Sequence, residues 1–139
     1  MFDKYLICTH GFRNVISETG NVEGFELNIR IPYYRGVPLS CVDEIKIVIG
    51  GQTYTNDSIR FTVAAGSFMM SEMSTVATRR WNLDEDATLK VFKPGGLTYF
   101  DQLVELLIII RAPYGKFDGH DKKVLTLEDD KYLSIKESL

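Results

Sequence analysis

The sequence predicts an all-β chain, a two-sheet antiparallel β-sandwich of immunoglobulin-like or jelly-roll type with little helix. Three observations carry this reading. Stretches that alternate apolar and polar residues recur along the 139 residues, roughly every 8–15 positions, with Gly, Pro, Asn and Asp between them. About nine or ten such short strands imply two packed layers rather than one sheet. No segment repeats at a fixed period and no low-complexity linker divides the chain, so one core suffices, burying roughly two thirds of the unfolded surface.

In order, Lys4–Thr9 reads as a first strand, and His10-Gly11 turns the chain into Phe12–Ile16. Gly20-Asn21 leads into a strand with Phe25, Leu27, Ile29 and Ile31 on one face and Glu26, Asn28 and Arg30 on the other. That period of two marks a strand with one face on a core. Val42–Ile49 follows, with Ile45, Ile47 and Ile49 alternating against Lys46 and Val48. Gly50-Gly51 suits a tight hairpin turn, returning the chain antiparallel through Gln52–Thr55. Asn56-Asp57-Ser58 matches the N-glycosylation pattern but reads as a polar turn. Ile59–Val63 and Ala87–Lys93 alternate again, and Pro94-Gly95-Gly96 favours a type II turn. Val124–Leu127 is a closing strand. Residues 1–127 are thus expected to form the sandwich domain, and 128–139 a charged tail or short terminal helix.

Leu103–Arg111 is apolar at nearly every position. Three consecutive isoleucines favour extended backbone, and Arg111-Ala112-Pro113 ends the run, so a strand is expected. Val104, Leu106, Ile108 and Ile110 would oppose Leu103, Leu107 and Ile109. Either the strand lies centrally under another layer, or a second chain covers its outer face.

Composition excludes several functions. A net charge of −3 argues against general affinity for nucleic acid. No apolar run reaches the roughly 18–20 residues that span a bilayer, and the first residues lack the pattern of a secretory signal. Cys8 and Cys41 read as buried thiols rather than a disulfide. A reducing, cytoplasmic setting fits these features.

Catalytic signatures are missing: no Gly-rich phosphate loop, paired-Cys zinc pattern or Gly-x-Ser-x-Gly elbow is present. His10 sits beside a turn glycine and reads as a surface residue. Phe117–Asp121 collects Asp118, His120 and Asp121, a possible metal set, but such close neighbours rarely converge without distant partners. A solvated turn before the last strand is the expectation there. Asp84-Glu85-Asp86 lacks the spaced ligands of a calcium loop and reads as a charged turn. Nothing singles out a catalytic pair among the 19 acidic residues. No catalytic residue and no metal ligand is therefore assigned to this chain.

Binding signals are stronger. Pro32 ends its strand and displays Tyr33, Tyr34 and Arg35 before Pro38, and Tyr and Arg are over-represented where proteins grip partners. Phe68, Met69 and Met70 suit either a core edge or a contact surface. Trp81, beside Arg79 and Arg80, either faces a partner or plugs one end of the sandwich.

Taken in order, several segments resemble the small (beta) subunit of the bacterial C-glycoside deglycosidases. They are Gly11-Phe12-Arg13-Asn14-Val15, Ile31-Pro32-Tyr33-Tyr34-Arg35-Gly36, Ile59-Arg60-Phe61-Thr62-Val63 and Trp81. The Ala87–Val91 strand with Lys93-Pro94-Gly95-Gly96-Leu97, and Lys123-Val124-Leu125-Thr126-Leu127, complete the set. The resemblance spans roughly residues 1–127. It implies a partner: a larger, barrel-type alpha subunit related to sugar isomerases. It also implies a lyase reaction in carbohydrate metabolism, cleavage of the carbon–carbon bond between a 3-oxo-glucosyl group and an aromatic, flavonoid-type aglycone. The 3-keto group acidifies the C2 proton, a base removes it, and the aglycone leaves C1 by elimination. A divalent metal, expected to be manganese, would polarise the ketone and stabilise enediolate-like charge. Its ligands and the base are expected on the alpha subunit. The isolated chain is expected to be inactive, with Tyr33, Tyr34, Arg35, Phe68, Met69, Met70 and Trp81 as interface candidates. The alternative is a stand-alone carbohydrate-binding β-sandwich module that stacks sugars on Tyr33, Tyr34 or Trp81.

Overall fold

The structure, a computed structural model, describes residues 5–98, 101–112 and 115–132. It contains β1 (Arg13–Ile16), β2 (Val22–Ile29), β3 (Val37–Pro38), β4 (Val42–Ile49), β5 (Gln52–Tyr54) and β6 (Ile59–Val63). After these come β7 (Gly66–Met69), β8 (Arg80–Trp81), β9 (Ala87–Phe92), β10 (Gln102–Ala112), β11 (Gly115–Leu125) and β12 (Glu128–Tyr132). Among the described residues helix is confined to short 3₁₀ turns, the longest Met70–Thr75. Among the described residues no helix is long and apolar enough to cross a membrane.

The strands form the expected sandwich. One sheet runs β12-β1-β2-β9-β6-β7, the other β11-β10-β4-β5, and β3 with β8 makes a small ribbon. Alternation decides what each strand buries. Phe25, Leu27 and Ile29 of β2, Leu89 and Val91 of β9, and Ile59 and Phe61 of β6 face Ile45, Ile47 and Ile49 of β4 and the even-numbered residues Val104–Ile110 of β10. Phe25 and Tyr54 bridge the two sheets edge-to-face at 5.4 Å. Gly50 and Gly51 turn β4 into β5 with φ of 58° and 79°, the left-handed pair that a two-residue hairpin needs. At Gly24 a Cβ would lie 1.9 Å from the Val91 carbonyl oxygen, so only glycine lets β2 approach β9 there.

Three expectations are corrected. Lys4–Thr9 is not a regular strand where described: only Ile7 bridges to β2, at Ile29. Side chains replace the missing strand neighbour, since Ile7 N donates to Asp121 Oδ2 and Lys123 Nζ donates to Ile7 O. Phe117–Asp121 is not a solvated turn but the middle of β11, paired residue for residue with β10. Its alternation was hidden because Gly119 and Asp121 occupy inward positions. Glu128–Tyr132 is neither tail nor helix but β12, parallel to β1, with Arg13 opposite Glu128 and Ile16 opposite Tyr132. The sandwich therefore extends beyond residue 127, because the free edge of β1 accepts a further strand. Lys4, Pro113 and the chain after Tyr132 lie outside the described residues.

Candidate functional site

The Pro32–Gly36 segment leaves β2 at one end of the sandwich. Arg30 N donates to Leu6 O, and Pro32 is buried against the inner side of β11, where Gly119 leaves room for it. Tyr33 is buried, its ring meeting Phe117 edge-to-face at 5.4 Å and Tyr34 at 4.4 Å. Tyr33 Oη donates to Tyr34 Oη at 3.5 Å. Tyr34 is 55% exposed, with the Arg35 guanidinium 4.9 Å above its ring. The hydrogen bond from Tyr33 and the Arg35 charge lower the Tyr34 hydroxyl pKa. One tyrosine is therefore an anchor and the other a presented surface.

This loop forms one wall of a cavity of about 420 Å³, with Val37, Cys41 and Ala112 giving it apolar lining and Arg35, Arg80 and Arg111 its charge. Arg111 is committed: Nε donates to Asp43 Oδ1 at 3.2 Å and Nη2 to Ser40 O at 2.6 Å. Arg80 Nη2 donates to Gly36 O, which ties the β8 ribbon to the loop. Among the described residues no carboxylate lies within ion-pair distance of Arg35 or Arg80. Apolar lining beside two guanidiniums without a carboxylate partner among the described residues suits an anionic group carried on an apolar or aromatic body.

Arg111 and Ala112, at the end of β10, bring the four-stranded sheet into the lining of this cavity. β10 is lateral centre of that sheet, between β4 and β11, and among the described residues no further sheet or helix layer lies on its outer side. Leu103 and Val124, directly opposite one another, are 52% and 64% exposed. Leu107, Ile109 and Val48 extend the apolar stripe, half-buried. Beside it His120 Nε2 lies 2.9 Å from Glu105 Oε2, and that hydrogen bond lowers the Glu105 pKa. The six-stranded sheet is different: its outer face carries the Arg13–Glu26 and Lys90–Glu23 pairs. Of the two outer faces, the β10 face has the character of a contact surface.

The remaining candidates separate. Trp81 is fully buried, edge-to-face with Phe61 at 5.0 Å, and Nε1 donates to Glu85 O. It closes the core rather than facing a partner. Met70 is buried too, whereas Phe68 and Met69 are half-buried on edge strand β7, with Arg79 over the Phe68 ring at 5.7 Å. Glu85 accepts hydrogen bonds from Ala64 N and Asn82 N, so the Asp84–Asp86 turn is structural at its centre. Asp118 and His120 point outward while Asp121 is buried on the other face, so that trio does not converge. Cys8, His10 and Asp86 do converge: one ligand atom from each lies within 4.8 Å of the others. Burial and the facing Asp86 carboxylate push the Cys8 thiol pKa up. Sequence reading missed this trio because Asp86 is 76 positions from His10. Both cysteines are free.

The sequence model of the family described as C-glycoside deglycosidase beta subunit matches residues 2–114. Among curated proteins, a C-glycoside deglycosidase beta subunit from Eubacterium cellulosolvens is 35% identical over 95 residues, covering 68% of this chain and 65% of that one. A 3'-dehydrocarminate deglycosidase beta subunit from a Microbacterium species is 27% identical over 115 residues, 82% of this chain and 85% of that one. A C-glycoside deglycosidase beta subunit from Microbacterium trichothecenolyticum is 29% identical over 63 residues, 45% and 48% of the two chains. The chain thus spans just under two thirds of the first of these relatives. The family match contains the Pro32–Gly36 loop and the Lys93–Leu97 turn and ends before β11.

Proposed function

The chain belongs to the C-glycoside deglycosidase beta subunit family, and from that premise we propose that it is the accessory subunit of a heteromeric carbon–carbon lyase. Its partner in this reading is a larger, barrel-type alpha subunit. The substrate is a C-glucoside already oxidised at the 3-position of its sugar and bearing an aromatic, flavonoid-type aglycone. The name of one relative, which specifies a 3'-dehydro compound, supports that oxidation state. On the alpha subunit a base removes the acidified C2 proton, a C1–C2 double bond forms as the bond from C1 to the aglycone breaks, and the departing aglycone carbon takes up a proton. A divalent metal held there, expected to be manganese, would supply polarisation of the ketone.

This chain's residues do not fit that metal. Manganese suits carboxylate, carbonyl and water ligands, whereas the converging trio here includes a buried thiol. No step is therefore routed through this chain; its part is to dock and to shape. The observations that carry the reading are the exposed Tyr34 and Arg35, the cavity that Arg35 lines and the apolar stripe on β10. Two free thiols agree with the reducing, cytoplasmic setting this function implies. The rival sugar-stacking module keeps only Tyr34 of its three rings, because Tyr33 and Trp81 are buried.

The test is reconstitution. Purified alpha subunit alone should show little turnover of a 3-oxo-C-glucoside, and adding this chain should restore it. Full activity of the alpha subunit by itself would defeat the proposal.

A further inference from the structure

Cys8 and His10 stand two residues apart on the irregular segment that crosses the end of β2, and Asp86 immediately precedes β9. Both segments are fixed by the strands beside them. Ile7 N donates to Asp121 Oδ2 at 2.8 Å, Cys8 N to Asn28 O at 2.9 Å, and Gly11 N to Glu128 Oε2 at 2.7 Å. The backbone that carries Cys8 and His10 is thus pinned on both sides. Asp86 is held through its neighbour Ala87, which pairs with Ile29 in the β2–β9 ladder. Ile29 also bridges to Ile7, so a single strand residue sets the spacing of both halves.

The donor set is one sulfur, one imidazole nitrogen and one carboxylate oxygen, all within 4.8 Å of one another. Bond lengths of about 2.3 Å to sulfur and about 2.0 Å to nitrogen or oxygen place tetrahedral donor atoms roughly 3.5 Å apart. His10 and Asp86 are both exposed, so their side chains have room to rotate and close that difference. Thiolate with imidazole favours zinc over the hard cations calcium, magnesium and manganese. Cys8 lies at the buried floor while His10 and Asp86 open to solvent, which leaves the outer coordination position to water.

We propose that Cys8, His10 and Asp86 form a site for one zinc-class divalent cation, held by three protein ligands with water in the fourth position. Binding takes Cys8 as the thiolate and releases its proton to solvent. The site lies on this chain alone and does not depend on the subunit reading above.

The probe is Co²⁺ titrated into the untagged, chelator-treated full chain, followed by Zn²⁺. We expect saturation at a single equivalent, a thiolate-to-cobalt charge-transfer band in the near ultraviolet, strong visible bands of a four-coordinate ion, and displacement by Zn²⁺. His10→Ala and Asp86→Asn, at exposed positions, should each weaken binding roughly tenfold or more while leaving the fold intact. Cys8→Ser should abolish the charge-transfer band. Because a serine at that buried position can itself cost folding, the two exposed variants carry the decision. Cys41→Ser should leave the band unchanged. Absence of saturable binding, a band that survives the His10→Ala/Asp86→Asn double variant, or a band lost with Cys41→Ser would each overturn the proposal.

Discussion

The Asn14 side chain hydrogen-bonds to the backbone of Leu97 in both directions: Nδ2 donates to Leu97 O and Leu97 N donates to Oδ1, each at 2.9 Å. A buried carboxamide thereby takes the place of a neighbouring strand and fixes the exit of the Lys93–Gly96 turn, itself closed by Gly96 N donating to Lys93 O. Asn14→Ala removes both bonds and leaves two backbone groups without partners. The expected cost is about 2–3 kcal/mol, read as a lower urea midpoint with an unchanged slope. Asn14→Asp should also destabilise, since a carboxylate cannot donate to the Leu97 carbonyl.

Acid should weaken the fold through Asp121. Burial by itself would push its carboxyl pKa up, but hydrogen bonds from Lys123, Ile7 N and Lys122 N prevail and it sits below the usual value. A folded-state pKa below the unfolded one, about 3.9 for Asp, gives stability that is complete above that unfolded value. The stability is lost as pH falls through the folded value. Urea midpoints measured from neutral pH down to about pH 3 should therefore fall, and Asp121→Asn should start lower but fall less steeply. Glu128, held down by Arg13 and Gly11 N, leaves a residual slope. Identical acid limbs for the two proteins would refute the role given to Asp121.

Trp81 tests the boundary between core and contact surface. Trp81→Ala should cost about 3–5 kcal/mol in thermal or urea unfolding, since the ring is fully buried against Phe61. Trp81→Phe, which loses mainly the bond to Glu85 O, should remain folded and bind the proposed alpha subunit as tightly as the unsubstituted chain. Loss of co-purification by a folded Trp81→Phe chain would return this residue to the interface.

The exposed tip of the loop should behave in the opposite way. Tyr34→Ala with Arg35→Ala changes two exposed side chains, so the unfolding midpoint should hardly move. Affinity for the alpha subunit should drop roughly tenfold or more, seen as weaker co-purification or a raised KM. Leu103→Glu with Leu107→Glu probes the β10 stripe separately by placing charge on its apolar rows. If neither pair of substitutions alters assembly, the docking surface lies elsewhere.

Much of the sandwich was legible in the sequence because one-sided strands announce themselves. Val42–Ile49 and Ile59–Val63 match their observed bounds, as inward Ile45, Ile47, Ile49, Ile59, Phe61 and Val63 make the period plain. Of β11 only the end, Val124 and Leu125, falls in an expected strand, because its earlier inward positions include Gly119 and Asp121, which carry no hydrophobic signal. Phe117–Asp121, with its charged Asp118, His120 and Asp121, reads instead as a turn. β12 escaped because Glu128 serves β1 through charge and backbone pairing, a long-range relationship without local pattern. The Tyr33–Arg35 loop was visible as a binding signal, but the division of labour between its tyrosines was not. That depends on Phe117, 84 positions away from Tyr33.

The parallel closure of β12 on β1 bears on how the chain is made. Translation delivers Arg13–Ile16 early, yet one flank of that segment stays bare until residues 128–132 leave the ribosome. Until then an open β edge is free to pair with other nascent chains, a known hazard of distant strand pairing. Heterologous production should therefore profit from slower synthesis or a holding chaperone, and shortening the gene before codon 132 should trade soluble product for inclusion bodies.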